Sequence, residues 1–233
     1  MPTDTKHTLH ICEVQTVFHS ITTVQRPVRA GIILALALGA IALYATPALA
    51  HHPFGGQTPT TFMSGFLSGL GHPVIGLDHA TFVVASGLLA ALWPSGLVIP
   101  LGFVLSSLLG TSVHLLGWNL PAAEIFISGS VVMFGILLAL RQQLPLLPVV
   151  ILGAIAGLFH GYAYGEAIIG AEMMPLVAYL LGFTVIQGAI ALAAYGIARR
   201  VDLPSTERPL SLRFAGFLIC GLGTAFLSAT VLG

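Results

Sequence analysis

GHPVIGLDHA, residues 71–80, sets two histidines and an aspartate at the head of a long apolar segment. Pro is well tolerated in the first turn of a helix, where its missing N–H would be unsatisfied anyway. Pro73 therefore predicts a helix start, with His72 as its cap. His72 and His79 are seven positions apart, which puts them on roughly one face of such a helix, with Gly76 between. A carboxylate and two imidazoles inside an apolar segment are costly, and such groups mark a functional site by default.

The surrounding chain is 56% hydrophobic and only 7% charged over 233 residues. A soluble domain carries about 25% charged residues. The long segments hold uninterrupted apolar runs without strand alternation, so the chain reads as an all-α integral membrane protein rather than a barrel. Its formal net charge is zero, which gives no reason to expect a nucleic-acid partner. Cys12 and Cys220 lie far apart, and Cys220 reads as a small packing residue in a late span.

Residues 1–50 read as a leader. Arg26 and Arg29 precede the apolar run GIILALALGAIALY at 31–44, which ends in Ala48-Leu49-Ala50. A basic region, an apolar core and an A-x-A site form the pattern of a secretory signal peptide. Cleavage is expected after Ala50, which makes His51 the mature N-terminus. An uncleaved first span is the alternative. A single transmembrane domain follows over 51–233. Thr61–Leu70 is too short to span alone, so it is an interfacial helix or the broken first half of a longer span. Six spans are expected at about 73–93, 95–117, 121–140, 146–165, 173–198 and 211–231, each near the ~20 residues a bilayer needs.

Arginine orients them. After residue 50 the only cationic side chains besides histidine are Arg141, Arg199, Arg200, Arg208 and Arg213. With His51 outside, all five fall inside, as the positive-inside rule requires. The expected location is the bacterial inner (plasma) membrane, mature N-terminus outside. The same topology puts every histidine after residue 50, together with Asp78, Glu124, Glu166 and Glu172, on the outer side. Asp78 then has no arginine near it, so a metal ion or a proton is its expected partner. Small residues recur every fourth position at Gly153, Gly157, Gly161 and Gly165, and at Gly102, Ser106 and Gly110 with His114 next on that row. Such rows let helix backbones approach closely in lipid.

Imidazole and carboxylate together suit Ni, Co, Zn, Cu or Fe. The candidate ligands are His72, Asp78, His79, His114 and His160, with Glu124 and Glu166 as supporting acids at the mouth. His51 and His52 could chelate through the terminal amine. Tyr162 and Tyr164 are interfacial belt residues or hydroxyl partners for His160. Each lone histidine has a plainer reading as a helix–helix hydrogen-bond donor, and the loop acids as solvated surface groups.

His72-Pro73-x-x-Gly76-x-Asp78-His79, Pro121-x-x-Glu124, and Phe159-His160-Gly161 with Gly165-Glu166 resemble the motifs of the hydrogenase/urease accessory permease family, HupE/UreJ. The resemblance covers about 51–200. It implies nickel uptake, with cobalt handled by some members. His72, Asp78 and His79 match its first motif, His160 and Glu166 its second, and Glu124 its acidic position. Family members often carry further histidines in the second motif, where this chain has Tyr162 and Tyr164, so the metal's identity stays open.

A P-loop needs a lysine, and no lysine follows Lys6. The expectation is a secondary permease, not an enzyme and not an ATP-driven pump. It would hold no permanent cofactor and move nickel or cobalt, with zinc also compatible. A divalent cation entering a negative-inside cell gains ~2.3 kcal/mol per charge per 100 mV. Its partners are the lipid bilayer and the ion, and a homo-oligomer stays open. The rivals are an intramembrane zinc-dependent hydrolase, a bis-histidine haem protein, and a metal-binding accessory or sensor protein.

Overall fold

The computed structural model describes residues 58–140, 144–200 and 209–232. The expected leader and its cleavage site, His51, His52, Arg141 and Arg208 lie outside these. The described residues form seven helices and no strand. They are α1 (Phe62–Ile75), α2 (Leu77–Ala90), α3 (Val98–Leu115), α4 (Ala123–Ala139), α5 (Leu146–Glu166), α6 (Met173–Ala198) and α7 (Leu210–Leu232).

α1 does not begin at Pro73, and His72 does not cap it. A capping box starts the helix earlier: Ser64 N–H donates to Thr61 Oγ1 at 3.1 Å, and Thr61 N–H donates to Ser64 Oγ at 3.0 Å. The helix then runs on through Pro73, which has no N–H to offer the Gly69 carbonyl, and stops two residues later at Ile75. Gly76 adopts an extended conformation and caps both α1 and α2, and the two helices meet at a 79° bend. Thr61–Leu70 is thus part of the first arm of a broken helix pair. His72 and His79 lie on different helices rather than on one face of a single one.

Helices α3, α5, α6 and α7 are long and apolar enough to cross a membrane, and the bent pair α1–α2 makes up to five candidate spans. The six expected therefore reduce to four or five by this measure, because α4 has only 17 residues. Large apolar side chains face outward, such as Leu101, Leu105 and Leu109 along one stripe of α3. Water would penalise such a surface, and lipid does not.

Backbone contact at small residues sets the pairing. On α5, Gly157 lies against Phe103 O and Ser106, Gly161 against Ser107 O, and Gly165 against the His114 side chain. The register 103–157, 107–161, 114–165 makes α3 and α5 parallel, and it joins the two small-residue rows read from the sequence. α1 and then α2 lie along α6, through Gly65 on Pro175, Gly69 on Tyr179 and Gly87 on Ala191. α4 and α7 are antiparallel, with Gly135 against Cys220 and Gly216 against Ala139. Arg213 Nε donates to Ala139 O at 3.1 Å and ties these two helix ends together. The bundle thus has one end with Arg199, Arg200 and Arg213, and an opposite end with His114, Glu124, Glu166 and Glu172. The core stacks Phe82 on Phe103 and Phe134, with ring centroids 4.7 and 4.4 Å apart.

Candidate metal centre

The break at Gly76 builds the centre. His72 lies in the last turn of α1 and His79 in the first turn of α2, and both are fully buried. Their ring centroids are 5.8 Å apart. A Cβ at Gly76 would fall 2.5 Å from His79 Cδ2, so glycine here leaves room for the ring in this position. Asp78 is half-buried and its Oδ1 accepts the His79 N–H at 2.8 Å. A carboxylate in the first turn is also favoured by the helix dipole. The α2 N-terminus is therefore a protein partner for Asp78, which the sequence reading lacked.

α5 and α6 close the centre. Tyr164 is fully buried, its ring centroid 5.0 Å from that of His72 and 4.7 Å from that of His79. Its hydroxyl is buried and makes no hydrogen bond. Tyr164 is no interfacial belt residue, and neither is Tyr162, which is 8% exposed. Tyr179 Oη lies 3.0 Å from His72 Nδ1 and donates to Tyr164 O at 2.8 Å. His160, one helical turn before Tyr164, is buried between Phe82 and Phe103. Its Nδ1 is 2.7 Å from His79 Nδ1, and its Nε2 is 3.0 Å from Ser130 Oγ on α4.

The other candidates stand elsewhere. His114 packs on Tyr162 with centroids 4.3 Å apart and against Gly165, and its Nδ1 is buried without a hydrogen bond. Tyr162 Oη reaches Asn119 Oδ1 at 3.4 Å. Tyr162 and Tyr164 are two residues apart on α5, so they face nearly opposite sides. Glu124 is half-buried in the first turn of α4, and Glu166 is exposed at the end of α5. Among the described residues, no three or more His, Cys, Asp or Glu side chains are arranged to hold a metal ion. The structure thus brings together His72, Asp78, His79, His160 and Tyr164, and sets His114 apart.

Two members escaped the sequence. Tyr179 sits in an apolar stretch of α6, where a tyrosine reads as core. Ser130 sits in ISGSVV, where a small residue reads as packing. Neither position carries a signal without the helix pairing.

A bundle of apolar helices closed around buried imidazoles defines a polytopic membrane protein with a buried histidine cluster. The chain belongs to the HupE/UreJ family: the sequence model of that family, the HupE / UreJ protein, matches residues 38–226. It is also 30% identical over 164 residues to Protein HupE of Rhizobium leguminosarum bv. viciae, covering 68% of this chain and 80% of that protein. No solved structure matches the chain.

Proposed function

We propose that this protein is a secondary permease that takes up a divalent transition-metal ion, nickel or cobalt, through the His72–His79 centre. One observation carries the reading. Two fully buried imidazoles, from two half-helices, meet at a break in the bundle beside a carboxylate and a buried phenol. Imidazole is a ligand shared by zinc, copper, iron and nickel. A broken helix is also where membrane transporters place ion sites, because chain ends and freed polar groups meet there. The family resemblance supports nickel or cobalt as the cargo; zinc would also fit the ligands.

In this reading the ion is cargo, the protein holds no resident cofactor, and it is not an enzyme. The chain crosses the inner membrane six times, counting α1–α2 as one bent crossing and α4 as one. At about 1.5 Å per residue, the 17 residues of α4 extend about 26 Å, within reach of a locally thinned bilayer. The leader is removed after Ala50. The centre opens toward the outer face, where Glu124, Glu166, His114 and the terminal His51 and His52 meet the arriving ion. The arginines face the cytoplasm.

The test is uptake of radioactive nickel and cobalt into cells carrying the wild type, His79→Ala or Asp78→Asn at matched membrane levels. His79→Ala is expected to lower uptake about 10-fold or more, and Asp78→Asn severalfold, in line with lost ligation or support. Equal uptake in all three refutes the permease.

A further inference from the structure

His160 is a histidine of the second family motif, and its position invites a ligand role. Its hydrogen bonds argue otherwise. Ser130 Oγ donates to Ile127 O at 2.6 Å, and a carbonyl can only accept. A hydroxyl has one proton, so toward His160 the Ser130 oxygen must accept. His160 Nε2 is therefore the N–H donor across the 3.0 Å contact. A neutral imidazole carries one N–H, which leaves His160 Nδ1 as an acceptor. Across the 2.7 Å contact His79 Nδ1 must then donate. That leaves the lone pair of His79 on Nε2.

The same reasoning holds on the other side. Tyr179 Oη donates to Tyr164 O at 2.8 Å, so it must accept from His72 Nδ1 at 3.0 Å. The lone pair of His72 is then also on Nε2. Two chains of hydrogen bonds, each ending on a backbone carbonyl, set both rings in one tautomer. Ligating histidines in metal sites are held this way, by a partner at the nitrogen that does not bind.

Distances agree. Two nitrogens about 2.0–2.1 Å from one metal sit about 2.9 Å apart at a right angle and about 3.3 Å apart at the tetrahedral angle. His79 Nδ1 and His160 Nδ1 are closer than either, at 2.7 Å. For His160 to ligate, it would have to give up a hydrogen bond in a fully buried site.

We propose that His160 is a positioning residue, not a ligand. With Ser130 it holds His79 in the Nδ1–H tautomer, as Tyr179 holds His72, and the ion is taken by the two Nε2 atoms. The proposal deepens the permease reading and rests on its choice of His72 and His79.

The experiment uses the full chain in lipid nanodiscs with nickel(II) alone as probe. X-ray absorption counts imidazoles per nickel, and ¹⁵N-histidine spectra of the metal-free protein report each tautomer. Expected are two imidazoles in the wild type and two in His160→Gln, whose side-chain oxygen can still accept from His79 Nδ1–H. Ser130→Ala should weaken nickel binding about 10–100-fold, and Ser130→Thr should restore it. In the metal-free protein His72 and His79 should be protonated at Nδ1 and His160 at Nε2. Three imidazoles in the wild type overturn the proposal, as does wild-type affinity in Ser130→Ala. If His160→Gln does not fold, the wild-type spectra and the Ser130 pair still decide. None of these readouts uses transport. Two-imidazole binding without uptake defeats the permease alone, and uptake with three imidazoles defeats this proposal alone.

Discussion

The rings of His72 and His79 stand 5.8 Å apart, centroid to centroid, although they belong to different helices. On an unbroken helix, seven residues advance about 10.5 Å along the axis. The bend at Gly76 turns that separation into a contact. The price in backbone hydrogen bonding is limited: Gly76 N–H still donates to His72 O at 3.0 Å, and Ala80 N–H donates to Gly76 O at 2.9 Å. The break therefore leaves both half-helices with an intact hydrogen bond at the joint and frees their side chains to converge.

Gly76→Ala is expected to damage the centre more than the fold. The added methyl falls against His79 Cδ2 and 3.3 Å from Asp78 Oδ1. The imidazole must rotate out of line with His160. Nickel affinity of the purified protein, measured by calorimetry, should fall about 10-fold, the scale of a lost orienting contact. Unchanged affinity would show that the Gly76 joint does not set the ring's position.

The two buried tyrosines should separate. Tyr179→Phe removes a hydroxyl bonded to both His72 and Tyr164 O, and should cost about 1–3 kcal/mol of stability together with weaker nickel binding. Tyr164→Phe removes a hydroxyl that makes no hydrogen bond, so the apo protein should be as stable or more stable. Unfolding of the metal-free protein in detergent gives both values. A large loss of apo stability in Tyr164→Phe would contradict the structure.

His114→Ala should leave nickel binding by the purified protein intact, because its ring packs on Tyr162 and Gly165 rather than on the central rings. Binding should differ less than about threefold from wild type, against the 10–100-fold expected at a ligand or its support. A loss as large as that of His79→Ala would place His114 in the centre.

How much of this was legible follows from what each feature depends on. Apolar run length and arginine placement are local or additive, so the apolar helices and the two ends of the bundle could be read directly, but the count of six could not, because α4 has only 17 residues and the first span is a bent pair. The α3 and α5 small-residue rows follow a fourfold period, which predicts a close helix contact without naming the partner. The joint lies at Gly76 rather than at Pro73, because the Thr61–Ser64 capping box starts the helix at Phe62, 11 residues before that proline. The tyrosine pair and Ser130 depend on which helices touch. α4 meets α5 at Ser130 and His160, and α6 meets α1 at Tyr179 and His72, and no single-helix pattern encodes either meeting.

Glycine substitutions along the bundle should split into two classes, and the split tests the α3–α5 packing. At Gly161 a Cβ would land on the Ser107 carbonyl, which is backbone and cannot swing aside. Thr111 Oγ1 also donates to Gly161 O at 2.7 Å, so any retreat of α5 loses that bond as well. Gly161→Ala should cost about 1–3 kcal/mol by overpacking. Gly129 on α4 and Gly188 on α6 have nothing within 4 Å of an added Cβ. Alanine there should be neutral or stabilising by up to about 1 kcal/mol, since it lowers the entropy lost by the helix. Thermal unfolding in one detergent measures all three. Because Gly161 adjoins His160, its alanine variant should also weaken nickel binding, whereas Gly129→Ala and Gly188→Ala should not. Equal stability across the three would mean that α3 and α5 are not in backbone contact at Gly161.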